Sequence, residues 1–230
     1  MTTLTMKSKT SSPHVVLSQT SEDKLNQVLR LRRRNNRYKY YVPNSKCEEF
    51  IELVGTGETF VSLFSAGNGV GKSANGANIV ANIVFGKSNN WFAYPLFEKW
   101  PYRKRGRIVS DPTTIQGVII PELKKWFPVD RYTTNKGGKN FEAQWQTDTG
   151  WLIDLMTYEQ DAKEFESATL GFCWFDEPPP SAIYKATVAR MRKGGIIFIT
   201  ATPLTGSAWM YDTLVTAAQR NHNDQVFQKP

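Results

Sequence analysis

The chain has 230 residues, 40% of them hydrophobic and seven of them tryptophan, enough for one sizeable α/β domain and at most a small appendage. Its formal charge of +8 sits in an N-terminal arm, because residues 1–46 hold ten Lys/Arg against two Asp/Glu while residues 47–230 hold nineteen of each. Two distant cysteines (Cys47, Cys173), two histidines near the ends (His14, His222) and no long apolar run argue against a disulfide framework, a zinc or histidine site and a membrane span, and predict a soluble intracellular protein.

Residues 1–20 are rich in Ser and Thr and are expected to be loose. From Ser21, SEDKLNQVLRLRRRNNRYKY reads as a helix: the early acids suit its dipole, and Leu25, Val28 and Leu29 fall on adjacent turns. Its tail of Arg30, Arg32, Arg33, Arg34 and Arg37 either meets a phosphate backbone or forms a solvated surface. Phe60–Ser65 reads as a buried strand, and Ile79, Val80, Ile83 and Val84 recur at helical spacing up to Gly86.

Between this strand and helix lies SAGNGVGKS. In such a turn, successive backbone N–H groups converge on anionic oxygens and the helix N-terminus adds a favourable dipole. Gly67, Asn68, Gly69, Val70, Gly71, Lys72 and Ser73 are therefore candidate phosphate-binding residues, with Lys72 reaching the β- and γ-phosphates and the Ser73 hydroxyl coordinating Mg²⁺. Ala66 stands where the pattern has its first glycine, and costs little if its φ is negative. The alternative is a flexible turn whose lysine faces water.

Residues 91–107, WFAYPLFEKWPYRKRGR, interleave six aromatics with four basic residues after position 102; covering the core is preferred to stacking on bases. A strand over Arg107–Ser110, a helix over Ile115–Trp126 and a hairpin joining residues 141–147 to 151–157 follow. Strands alternating with helices predict a mainly parallel sheet flanked by helices.

The apolar run Leu170–Phe175 ends in Asp176-Glu177-Pro178-Pro179-Pro180. Two acids at a strand end fit nucleotide hydrolysis, Asp176 as the metal-side acid and Glu177 as the base that polarises water, the two pointing different ways as strand neighbours do. A capped core strand with two exposed acids is the alternative. A further apolar strand, Gly195–Ile199, ends in Thr200-Ala201-Thr202, whose hydroxyls either sense a γ-phosphate and couple its loss to movement or cap the next helix.

Taken together, the Gly-Lys-Ser loop, TYEQDAKEF, FCWFDEPPP and IIFITATPLTGSAWMYD resemble the ATPase domain of bacteriophage terminase large subunits, over about residues 41–211. The resemblance implies an α/β P-loop NTPase of the additional-strand, catalytic-glutamate (RecA-like) type, with the Thr200 strand inserted between the loop strand and the Asp176 strand. It implies Mg-ATP hydrolysis coupled to translocation of double-stranded DNA into a procapsid, in the host cytoplasm. A ring of copies, a portal protein and a small terminase subunit are the implied partners, and no membrane.

By the same resemblance Gly71, Lys72 and Ser73 bind phosphate and Mg²⁺, Asp176 holds the metal, Glu177 activates water and Thr200-Ala201-Thr202 couples. Tyr41, with Pro43 and Phe50, matches the adenine-side pattern, although Lys46-Cys47 stands where that pattern has glutamine. The loop lacks an arginine, so a transition-state arginine is expected from a neighbouring subunit, with Arg190, Arg192 and Arg131 as candidates. Residues 1–46 are expected to be a basic arm and 47–230 the ATPase domain, the nuclease domain being absent from this chain. The rival readings are a helicase-like motor and a nucleotide-gated scaffold without turnover.

Overall fold

The computed structural model describes residues 19–86, 92–203, 208–216 and 226–228. The Ser/Thr-rich start, His14, His222 and the Leu204–Ser207 part of the family-like stretch lie outside the described residues. The chain divides into two compact units, Met1–Arg34 and Asn35–Pro230.

The first unit contains helix α1 (Gln19–Asn35), with Glu22 in its first turn and Arg32, Arg33 and Arg34 in its last, as the dipole favours. Leu25, Val28 and Leu29 are exposed.

In the second unit a 3-10 turn (Arg37–Tyr40) and helix α2 (Ser45–Thr56) precede strand β1 (Val61–Ser65) and helix α3 (Lys72–Phe85). Helix α2 was not read from the sequence. Asn44 caps it, and Gly57 ends it with φ 73°. Two buried asparagines on α3 fasten it to this leading segment, Asn75 donating to Cys47 O and Asn78 to Tyr38 O, and a third, Asn82, donates to Asn78 within the helix. Buried amides of this kind are retained where they satisfy carbonyls that no ladder reaches.

Next come the short helix α4 (Pro95–Glu98), strand β2 (Arg105–Ser110) and one continuous helical run over residues 112–126. That run comprises α5 (Pro112–Thr114), a π-type stretch (Ile115–Ile119) and α6 (Ile120–Trp126). Pro121 has no N–H to offer the carbonyl one turn back, and the widened turn, in which Ile120 N–H reaches Ile115 O, falls just ahead of it. Of the aromatic excursion before β2, Phe92, Leu96 and Phe97 are buried in the core, as the preferred reading had it.

The remaining strands are β3 (Tyr132–Asn135), β4 (Gln144–Thr147), β5 (Leu152–Thr157), β6 (Phe172–Asp176), β7 (Ile196–Ala201) and β8 (Val226–Gln228). A 3-10 turn (Ala162–Glu166) and helix α7 (Ser181–Val188) flank β6, and α8 (Ala208–Met210) follows β7. The eight strands of the described residues form one sheet in the order β3-β4-β5-β2-β6-β7-β1-β8. The run from β5 to β8 is parallel, whereas β3, β4 and β5 pair antiparallel, the last two being the expected hairpin. Strand β7 lies between the loop strand β1 and the acidic strand β6. This is the additional-strand arrangement, and the fold is a RecA-like α/β sheet.

Strands covered on both faces bury every residue, and β6 and β7 do so throughout. Phe172, Trp174 and Phe198 pack with α3 on one face, and Cys173, Phe175, Ile197 and Ile199 pack with α7 on the other. Cys47 and Cys173 are free and buried. Burial pushes the Cys173 thiol up to about 12, so this residue is a small core hydrophobe.

Close approach of α3 to the sheet depends on Gly76, where an added Cβ would lie 2.3 Å from Cζ2 of Trp174. Trp174 is fully buried and cannot yield. Gly76→Ala is therefore expected to destabilise the fold by about 1–3 kcal/mol, the usual cost of overpacking, despite alanine's better helix propensity. Urea unfolding followed by far-UV circular dichroism measures this, and an unchanged or raised midpoint would refute the close packing.

Candidate functional site

The loop leaves β1 with Ala66 N–H bonded to Ala201 O at 3.0 Å, which ties it to β7. Ala66 is not among the positive-φ residues and packs into the core, so no glycine is needed there. Gly69 (φ 80°) and Gly71 (φ 90°) do adopt the left-handed region, whereas Gly67 does not. An added Cβ at Gly69 or Gly71 would meet nothing within 4 Å, so backbone conformation rather than space accounts for glycine there. Gly71 caps α3, and Lys72 and Ser73 open its first turn.

Lys72 does not face water. It is 7% exposed, and its Nζ donates to Ala66 O at 2.9 Å and Gly67 O at 3.1 Å. Ser73 Oγ lies 3.1 and 3.3 Å from the two oxygens of Asp176, so the loop and the end of β6 meet directly.

Asp176 is 2% exposed. Burial pushes its carboxyl up to about 6, against the hydrogen bonds from Thr200 and Ser73, and the neighbouring Glu177 charge adds to the rise. Thr200 Oγ1 donates to Asp176 Oδ1 at 2.6 Å and itself accepts from Trp174 Nε1 at 2.8 Å. Thr202 treats the second acid likewise: its Oγ1 donates to Glu177 Oε1 at 2.6 Å and its backbone N–H to Oε2 at 2.9 Å. Both threonines thus bond the acids rather than cap a helix. Ala201 between them is buried.

Glu177 departs from the alternation expected of strand neighbours. Its φ is 70°, and β6 ends at Asp176, so the backbone turns and both carboxylates line the same cleft. A glutamate in this conformation costs of order 1–3 kcal/mol and needs its surroundings to hold it. Glu177 N–H donates to Thr200 O at 2.7 Å, and Tyr158 Oη donates to Glu177 O at 2.6 Å. Ser110 Oγ and Tyr158 Oη both approach Asp176 O, at 2.9 and 3.2 Å. Burial raises the Tyr158 phenol well above its ordinary range, so it remains a donor. Sequence reasoning assigned no role to Ser110 or Tyr158; the available signal was a hydroxyl residue at the carboxyl end of β2 and another just beyond that of β5.

The cleft encloses about 370 Å³ between the loop, the two acids and Thr114, Val118 and Glu122 of the 112–126 helical run. Tyr41 is outside it. Its ring meets Trp126 edge-on at 4.9 Å and lines a separate cavity of about 290 Å³ with Pro43 and Phe92. This segment is docked on the loop, because Asn44 Nδ2 donates to Val70 O at 3.1 Å and Cys47 Sγ lies 3.6 Å from the same oxygen. Cys47, standing where glutamine was expected, thus contacts the loop through its thiol.

The arginine candidates lie elsewhere. Arg190 and Arg192 follow α7 rather than belonging to it. Arg190 O accepts from Leu170 N–H and its Nη1 bonds Glu166 O, at the end of β6 opposite the acids. Arg131 is taken up by Asp148 in a two-nitrogen ion pair.

Among the described residues no group of three or more His, Cys, Asp or Glu is placed to hold a metal by itself. The donor set of one hydroxyl and one buried carboxylate suits instead an ion completed by phosphate and water, as Mg²⁺ prefers. The raised carboxyl fits this, since a cation would offset its desolvation. The site's residues therefore fit Mg²⁺ with a nucleotide polyphosphate. Among the described residues no helix is long and apolar enough to cross a membrane.

No family model matches the chain. It is 25% identical, over an alignment of 205 residues, to the terminase large subunit of Salmonella phage P22, a match covering 72% of this chain and 40% of that protein. Among solved structures it is similar to the large terminase of a thermophilic bacteriophage in complex with ADP, with TM-score 0.60, 12% identity and coverage of 81% of this chain and 45% of the other. The HK97 bacteriophage large terminase gives TM-score 0.56 at 12% identity, covering 81% and 38%. The chain spans less than half the length of each of these proteins. The resemblance read from the motifs is thus the one found in both sequence and fold.

Proposed function

We propose that this chain, a relative of phage large terminases, is the ATPase portion of a packaging motor that couples Mg-ATP hydrolysis to translocation of double-stranded DNA into a procapsid. The observation that carries the reading is the end of β7, where Thr200 and Thr202 each hold one acid while Ser73 of the loop reaches the first. A loop that merely turns, or acids that merely cap a strand, need none of these bonds.

In this reading the backbone N–H groups of Gly67 to Ser73 and the Lys72 ammonium bind the phosphates. Ser73 Oγ and, through water, Asp176 would hold Mg²⁺, whose charge would offset that of the phosphates. Glu177 accepts a proton from water as the water oxygen bonds to the γ-phosphorus and the bond to ADP breaks. Tyr41 and Pro43 offer the base an apolar wall beside Val70. The stabilising arginine comes from a neighbouring copy in a ring, for which Arg190, on the far end of β6, remains a candidate.

The test is steady-state ATP turnover with Mg²⁺, with and without duplex DNA, over a range of protein concentrations. Turnover per chain is expected to rise with DNA and with concentration, as copies supply arginines to one another. ATP binding with no turnover under any of these conditions would favour a nucleotide-gated scaffold.

Thr202→Val removes the hydroxyl from Glu177 Oε1 and keeps the backbone donor. Losing a hydrogen bond to a charged group costs about 1.5–3 kcal/mol, so turnover is expected to fall roughly 10- to 100-fold with ATP affinity within about twofold. Turnover and DNA stimulation both unchanged would remove the coupling role from this residue.

A further inference from the structure

A third cavity, of about 350 Å³, opens on the sheet face shared with α7, over β2, β5 and β4. It is far from the loop: Gly171 N–H donates to Arg105 O, which puts it beside the amino end of β6, whereas Asp176 closes the carboxyl end.

Its floor is Arg107, 1% exposed on a central strand. A guanidinium cannot shed its charge, so a buried one needs an acceptor for its donors and a counter-charge. Arg107 has only part of either. Its Nη1 donates to Phe165 O at 2.8 Å and its plane lies 5.2 Å from the Phe165 ring, but its Nε, wholly buried, has no acceptor. Asp154, which also lines the cavity, is already bound by Arg105 through Nε and Nη2 at 3.0 and 2.8 Å. Glu164 at the rim is taken by Gln160 Nε2. Burial lowers the pKa of Arg107; the nearby Cys173 and Asp154 act against that shift, and the weaker influences of Arg105 and Arg190 act with it. Lys139, from the turn after β3, and Gln144, on β4, add donors from two further directions. Arg105 directs both nitrogens to the single oxygen Oδ2 of Asp154, and donors converging from three elements suit a tetrahedral anion.

We propose that this cavity is an anion site, separate from the nucleotide cleft, that binds one phosphate group, with Arg107 Nε as its buried donor and Lys139 and Gln144 completing it. Two sources share that chemistry, free inorganic phosphate and a phosphodiester of DNA.

The experiment follows the arginine Nε–Hε resonances of the wild-type chain with Mg-ADP saturating the loop, Arg107→Lys identifying the Arg107 signal. Inorganic phosphate is expected to shift that signal saturably, with a dissociation constant around 1 mM. A short DNA duplex is titrated in parallel. A shift at a lower phosphate-group concentration with duplex assigns the site to the DNA backbone, and a shift with inorganic phosphate alone assigns it to the free anion. In either case Arg107→Gln should weaken binding at least about tenfold. An Arg107 signal unmoved by both ligands overturns the site. Because wild-type protein is observed, a folding defect in either variant cannot mimic that result, and failure of the ATPase reading would leave it unaffected.

Discussion

Glu177→Gln is expected to lower ATP turnover by about 10²- to 10⁴-fold, the range a positioned general base contributes, while ATP and ADP bind within a few-fold of the parent. Glutamine keeps the size of the side chain and can still accept from Thr202 through its amide oxygen, so the cleft should retain its shape. What it loses is the capacity to take a proton from water. The bond from Thr202 N–H to Oε2 at 2.9 Å becomes an N–H facing an NH₂ group, or the amide flips and the hydroxyl bond at 2.6 Å is remade the other way round. Either adjustment is local, because the strained peptide of Glu177 is held through Thr200 O and Tyr158 Oη, which the substitution does not touch. Rapid-quench and steady-state phosphate release, beside calorimetric binding of ADP, measure the two effects separately. Turnover within about tenfold of the parent would exclude Glu177 as the base.

The sequence disclosed the parts of this site whose chemistry is written in consecutive residues. Gly71-Lys72-Ser73 after a strand, and Asp176-Glu177 at the end of another, were legible because a strand's apolar run and its terminus can be read locally. The position of β7 between β6 and β1 was not local information; it came through the family resemblance, and the pairing of Asp176 with Thr200 agrees with it. What escaped was set by contacts distant in sequence. Strand alternation, extended one residue too far, turned Glu177 away from Asp176, whereas its φ of 70° depends on Thr200 O and on a tyrosine 19 positions earlier. Helix α2, capped by Asn44 and ended by Gly57, was not legible because Tyr41, Pro43 and Phe50 read as a binding motif rather than as a helix. Arg107 was read as the start of a strand after a run of basic residues, but its burial under Phe165 was not legible there.

Lys72→Ala is expected to weaken ATP and ADP binding by about 10²- to 10³-fold, because removing one partner of a desolvated charge pair typically costs about 3–5 kcal/mol. The lysine sits where that cost applies. It is buried within its own loop, and its ammonium bonds Ala66 O and Gly67 O, so it is already positioned at the loop end of the cleft rather than recruited from solvent. In the folded chain those two carbonyls hold the ammonium over the left-handed turn made by Gly69 and Gly71. Alanine leaves them to water or to the loop's own N–H groups, so the loop's order should suffer as well as its charge. A loss of stability is separable from a loss of affinity by thermal unfolding without nucleotide, where the change should be small compared with the shift that saturating Mg-ADP gives the parent. The variant should show little of that ligand-induced shift. If Lys72→Ala bound nucleotide as the parent does, the 370 Å³ cleft would not be a phosphate site, and the contact between Ser73 and Asp176 would be left as a structural tie between α3 and β6.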